Sequence, residues 1–127
     1  MTTLEFWAIL ATTILAALTV FQLALIAKAP LGEYAWGGQH RVLPPKLRIA
    51  SIASIVLYII FAWFALAKSG VITSPSGVMI DVTLWIFFGY FVVGIIMNTI
   101  SRSKKERMVM TPVAVVLAIA FFFLALG

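Results

Sequence analysis

The residue types best suited to chemistry gather in one stretch, from Pro30 to Arg48, which reads PLGEYAWGGQHRVLPPKLR. It holds His40, the single histidine of the chain, together with Glu33, Trp36, the paired glycines Gly37 and Gly38, and the cations Arg41, Lys46 and Arg48. Histidine titrates near neutrality, so His40 can move a proton or sense pH, with Glu33 as the nearest candidate partner. Adjacent glycines reach backbone conformations closed to other residues and let a ligand or a second backbone come close. Exposed backbone N–H groups beside His40 and Arg41 can hold an anion, and Glu33 can pair with one of the cations. The plainer reading is a loop pinned at the lipid headgroups. Trp36 and Tyr34 would anchor it and its cations would meet anionic lipid. Both readings stand on the same residues.

A second basic stretch, Arg102-Ser103-Lys104-Lys105-Glu106-Arg107, is either a solvated connector or a site for a lipid headgroup or acidic partner. Metal chemistry has little to work with. There are no cysteines, and a histidine site needs more ligands than His40 and Glu33 provide. No metal or cofactor is expected. Glu5 and Asp81 sit near helix ends, where solvation or the positive end of a helix accounts for them. A Ser-His-Asp arrangement fails because Asp81 belongs to the opposite end of the molecule from His40.

The elements that position these residues are set by composition. Of 127 residues, 64% are hydrophobic and 10% charged, against about half or less and roughly a quarter in soluble domains. So small a soluble domain has too much surface to hide that much apolar area. Lipid must be the solvent. The net charge of +5 lies in short connectors between apolar runs, which fits anionic headgroups rather than nucleic acid. The N-terminal tail has no Lys or Arg before its apolar run, so the first segment is expected to be a retained helix and not a signal peptide.

Four apolar runs, about 4–26, 49–67, 82–100 and 109–126, each approach the roughly 20 residues needed to cross hydrocarbon. In lipid such segments must be helical. Pro44-Pro45 precedes the second, and Pro112 is expected in the first turn of the fourth. Ser69-Gly70 and Ser74-Pro75-Ser76-Gly77 mark a turn between the second and third. Lys28, Arg41, Lys46 and Arg48 lie between the first two runs, and Arg102, Lys104, Lys105 and Arg107 between the last two. Only Lys68 lies elsewhere. The positive-inside rule then puts both basic loops in the cytoplasm and both termini outside. Trp7, Trp63 and Trp85 fall at outer helix ends and Trp36 at the inner side, as an interfacial belt requires.

Small and polar residues mark helix contacts in lipid. The expected inward stripes are Ala8, Thr12, Ala16, Thr19 and Gln22; Ser51, Ser54, Tyr58, Ala62 and Ala65; Tyr90, Gly94 and Asn98; and Ala114, Ala118 and Ala125. Read functionally, Thr12, Thr19, Gln22, Ser54, Tyr58 and Asn98 would line a polar path.

The string Ala35-Trp36-Gly37-Gly38-Gln39-His40-Arg41-Val42-Leu43-Pro44, followed by Leu47-Arg48 and Ser51, resembles small four-helix integral membrane proteins of bacteria. That resemblance covers the first loop and the start of the second helix. It implies a bacterial inner-membrane protein and no particular activity. Small multidrug transporters fit poorly, since Glu5 is too near the helix end for their glutamate.

The expected fold is therefore an all-α membrane protein, a single four-transmembrane-helix bundle of two hairpins with both termini outside, self-associating into a homo-oligomer. The leading expectation for function is non-enzymatic binding of an anionic small molecule or lipid headgroup. The site would comprise Glu33, Trp36, Gly37, Gly38, His40, Arg41, Arg48, Asn98 and Arg102. Second is a homo-oligomeric solute or ion transporter using the polar path. Third is a membrane enzyme using His40 with Glu33.

Overall fold

Lipid-solvated backbone must satisfy its own hydrogen bonds, and the chain does so with four long helices. The computed structural model describes residues 1–72 and 77–127. The expected Ser74-Pro75-Ser76 turn lies outside the described residues. The helices are α1 (Thr3–Ile26), α2 (Pro45–Ser69), α3 (Val78–Thr99) and α4 (Lys104–Leu126). Each is long and apolar enough to cross a membrane. At 1.5 Å per residue they run to about 33–38 Å, beyond the ~30 Å of hydrocarbon.

Three helices start earlier than their apolar runs. α2 begins at Pro45, not near residue 49, because a proline at the first helical position loses no hydrogen bond. Its first turn therefore carries Lys46 and Arg48, whose long stems can reach back to the headgroup layer. α3 begins at Val78, which brings Asp81 into its first turn, where the helix dipole favours a carboxylate. α4 begins at Lys104, not near residue 109. Ser103 caps it by accepting from the Glu106 N–H at 3.3 Å. Pro112 consequently lies well inside α4 and not in its first turn. α1 starts with the same device, as the Thr2 hydroxyl accepts from the Glu5 N–H.

Consecutive helices pack on one another, most extensively α1 on α2 and α3 on α4, and α4 also packs on α1. α4 is the most enclosed of the four, burying Ala114, Leu117, Ala118, Ala120, Phe121, Leu124 and Ala125. Phe61 of α2 meets Phe91 of α3 (ring centroids 5.1 Å) and Phe121 of α4 (6.2 Å), and Phe91 stacks on Phe121 at 5.2 Å. Such pairs add directional contact where hydrophobic drive is absent.

The inward faces differ in part from the small-residue stripes. On α1 the buried residues are Ala8, Ala11, Leu15, Gln22 and Leu25, while Ala16 is exposed. On α3 they are Ile80, Leu84 and Phe91, while Tyr90 is exposed. Bulky side chains, two aliphatic and one aromatic, are the ones α3 buries, and Tyr90, though half exposed, still sets its ring 5.1 Å from that of Phe61. The α4 alanines are buried as expected, and so are Ser51 and Ala65 of α2.

The two ends of the bundle differ in kind. At one end Trp7 of α1 stacks on Phe123 of α4, with ring centroids 5.0 Å apart. Lys68, ending α2, pairs there with Asp81, opening α3. At the other end lie the α1–α2 loop and the short α3–α4 connector.

Candidate functional site

The site is built from the bend that the α1–α2 loop makes. Ala27 through Pro44 forms a closed loop with two 3-10 turns, Gly32–Tyr34 and Trp36–Gly38. Its mouth is closed by the Gly32 N–H donating to the Arg41 carbonyl at 2.8 Å. A Cβ on Gly32 would collide with the backbone oxygens of His40 and Arg41, so only glycine lets the two strands of the loop approach. Beneath, Ala35 and Leu43 bury themselves on Leu25 of α1, with Phe21 and Leu47 alongside. A loop packed by its own side chains over closed ends is fixed in shape and is not a loose tether.

Trp36, Gly37 and Gly38 follow one another at positive φ (52°, 78° and 71°). For a bulky aromatic this is uncommon and costs about 1–2 kcal/mol. Trp36 is held there by its indole N–H, which donates to the buried Ser51 hydroxyl of α2 at 3.3 Å. The left-handed turn is closed by the Gly38 N–H donating to the Ala35 carbonyl at 2.9 Å. It carries the Gly38 backbone against Ser103 of the α3–α4 connector.

Ser103 joins the two loops. Its hydroxyl donates to the Glu33 carbonyl while accepting from the Glu106 N–H, so one side chain both caps α4 and ties down the α1–α2 loop. The connector is itself braced. The Ser103 N–H donates to the Ser101 hydroxyl at 3.1 Å, and Arg107 donates to the Ser101 carbonyl at 2.7 Å. Lys105 reaches the Glu33 carboxylate at 2.5 Å and lies 5.7 Å from the centre of the Tyr34 ring. Lys105, by its hydrogen bond and then its charge, holds the Glu33 carboxyl below the usual carboxylate range, against an opposing desolvation and with a smaller assist from Arg41.

Between these loops is an open cleft of about 360 Å³, lined by Glu33, Gly37, Gly38, Gln39, Arg102, Ser103, Lys104 and Lys105. Three cations and one carboxylate leave it net positive. Among the described residues, Arg102 and Lys104 have no ion-pair partner. Arg and Lys donors beside a glycine backbone can receive an anion's oxygens.

Of the residues expected at a site, Glu33, Gly37, Gly38 and Arg102 are brought together here. Trp36 turns away onto Ser51, His40 and Arg41 are exposed outside the cleft lining, and Asn98 donates back to the Gly94 carbonyl of its own helix at 2.8 Å. Arg48 is half-buried in α2, its Nε enclosed without a partner. Gln39, Ser103, Lys104 and Lys105 complete the lining, and of these Gln39 and Ser103 do not stand out by residue type. The pattern Ser103-Lys104-Lys105-Glu106, a helix-start signature, did carry a signal for Ser103.

Along the expected polar path, Gln22 and Tyr58 do meet, the Gln22 amide donating to the Tyr58 hydroxyl at 3.3 Å. Thr19 and Ser54 instead donate to their own helices, to the carbonyls of Leu15 (2.8 Å) and Ala50 (3.2 Å). The Thr12 hydroxyl and the Gln22 side-chain oxygen are buried without partners among the described residues. Among the described residues no three of His, Cys, Asp and Glu gather closely enough to hold a metal ion.

Comparison with known protein families, with characterised proteins and with solved structures finds no match to this chain.

Proposed function

We propose that this chain is a bacterial inner-membrane protein whose cleft between the α1–α2 loop and the α3–α4 connector binds an anionic small molecule or lipid headgroup. The carrying observation is that Arg102 and Lys104 line the cleft without ion-pair partners among the described residues, beside Lys105 and the left-handed Gly37-Gly38 backbone. The orientation follows from charge: eight of the nine basic residues lie in the loop and connector or the helix turns beside them. In this reading that end faces the cytoplasm, both termini face outward, and the chain forms two membrane hairpins. Phosphate is the natural anionic group, because its several oxygens can satisfy more than one cation at once. The test is thermal stabilisation of the purified protein in nonionic micelles by inorganic phosphate or a short-chain anionic phospholipid. The expected shift is lost in Arg102→Ala/Lys104→Ala; an undiminished shift in that variant refutes the site.

A second reading, a homo-oligomeric solute or ion transporter, is favoured by two buried oxygens in the expected path, on Thr12 and Gln22, that have no partner among the described residues. Buried polar atoms normally find partners, and a passing solute or water would supply them. Flux in proteoliposomes that falls in Gln22→Leu supports it; absence of flux refutes it.

A further inference from the structure

We infer that Glu33 is a built-in competitor for the anion that the cleft takes, so that the protein's own carboxylate occupies part of the site at rest. This rests on the anion-binding reading above. Lys105, in the first turn of α4, is the only cleft cation that is paired among the described residues, and its partner comes from the α1–α2 loop, 72 positions away in the chain.

The two halves of Glu33 are held very differently. Its backbone is fixed, because its carbonyl accepts from the Ser103 hydroxyl and the preceding residue, Gly32, is tied to Arg41. Its side chain is not enclosed: the Glu33 and Lys105 side chains are 43% and 57% exposed. A carboxylate tethered at a fixed backbone point beside Lys105 is present at high effective concentration. An ion pair so exposed is nonetheless weak and easily exchanged. An incoming anion therefore meets Arg102 and Lys104 free, and must displace Glu33 to gain Lys105.

A purely structural role for the pair is less economical. The loop is already seated by the Ser103 bond, the Gly38 contact and the Gly32 closure, all of which involve backbone. The exposed Glu33–Lys105 pair adds little to these. What the Glu33 carboxylate does add is negative charge in a cleft that is otherwise basic.

The experiment compares binding isotherms of the full chain in nonionic micelles, with inorganic phosphate in one arm and a short-chain phosphatidylglycerol in the other. The wild type, Glu33→Gln, Glu33→Asp, Arg102→Ala/Lys104→Ala and Glu5→Gln are measured side by side. Glu33→Gln is expected to bind about two- to fivefold more tightly than wild type, the span an exposed ion pair commands. Glu33→Asp, which keeps the charge but withdraws it by one methylene, falls between them. Glu5→Gln, which changes net charge by the same amount at the far end, leaves binding unchanged. The arm with the lower dissociation constant identifies the free anion or the headgroup as the ligand. Unchanged or weaker binding in Glu33→Gln, with binding still lost in Arg102→Ala/Lys104→Ala, overturns the competitor role and leaves the anion site standing. Absence of binding in wild type and Glu33→Gln alike overturns both. An equal gain in Glu5→Gln reduces the effect to net charge and overturns the competitor role alone.

Discussion

Alanine at Gly38 and at Gly37 separates two costs that ordinarily arrive together. Both glycines are at positive φ (71° and 78°), so alanine at either forces a Cβ into left-handed backbone, at about 1–2 kcal/mol. They differ in surroundings. Among the described residues a Cβ on Gly37 meets nothing within 4 Å, whereas one on Gly38 runs into the Ser103 side chain and lies 3.1 Å from the Glu33 carbonyl oxygen. Ser103 cannot simply turn away. Its hydroxyl is engaged with Glu33 and with the Glu106 N–H, worth about 1 kcal/mol for the bond and about 1 kcal/mol for the cap. Gly38→Ala must sacrifice these or accept comparable overpacking strain. The expected loss is about 1–2 kcal/mol for Gly37→Ala and about 3–4 kcal/mol for Gly38→Ala. Equilibrium unfolding in mixed micelles, followed by tryptophan fluorescence, measures both. Gly70→Ala serves as a second reference, since Gly70 is also left-handed (φ 83°) and a Cβ there meets nothing within 4 Å among the described residues. If Gly38→Ala costs no more than Gly37→Ala, the loop does not seat on Ser103 and the cleft as described does not exist.

Three further outcomes follow from the same geometry. Because the chain has no cysteine, single-cysteine variants at Gln39, Lys104, Thr2 and Gly127 label without background; the first two should be protected from an impermeant maleimide in intact spheroplasts and the last two reactive, and the reverse pattern refutes the orientation. Ser51→Ala removes the acceptor for the Trp36 indole and should cost about 1 kcal/mol, with a changed Trp36 emission in a background lacking the other tryptophans; an unchanged spectrum refutes the anchoring. The Glu33 carboxyl, followed by carbon NMR, should titrate below the usual carboxylate range. A lowered folded-state pKa means that the pair stabilises the loop above the unfolded carboxylate pKa, a contribution lost as pH falls through the lowered value. An ordinary midpoint would show that Lys105 does not hold it.

The spans were legible because lipid leaves so few options: a long apolar run must be a helix, and the four runs lie within the four helices but for a residue at the end of α3. Helix starts were less legible, because hydropathy marks where lipid begins and not where helical backbone begins. Ser103 through Glu106 and Thr2 through Glu5 carry the capping pattern that places the starts of α4 and α1. In the loop, Trp36, Gly37 and Gly38 stood out by type, and their backbone is unusual. Gly32 did not, since its need is for room against Arg41 and not for a special φ, and such room depends on a contact across the loop. The roles of His40 and Asn98 were inferred from residue type alone. The direction of a side chain depends on which neighbour captures it, and the Gly94 carbonyl captures Asn98.

A discrete anion site at the basic end of this protein differs from a diffuse ring of cations at the headgroups in where a bound lipid sits. Photo-crosslinking with an anionic phospholipid carrying a photoreactive headgroup, followed by peptide mapping, tests this most directly. A discrete site gives adducts concentrated on residues 33–39 and 102–105, diminished by Arg102→Ala/Lys104→Ala. Adducts spread evenly over Lys28, Arg41, Lys46 and Arg107, and insensitive to that variant, would contradict it.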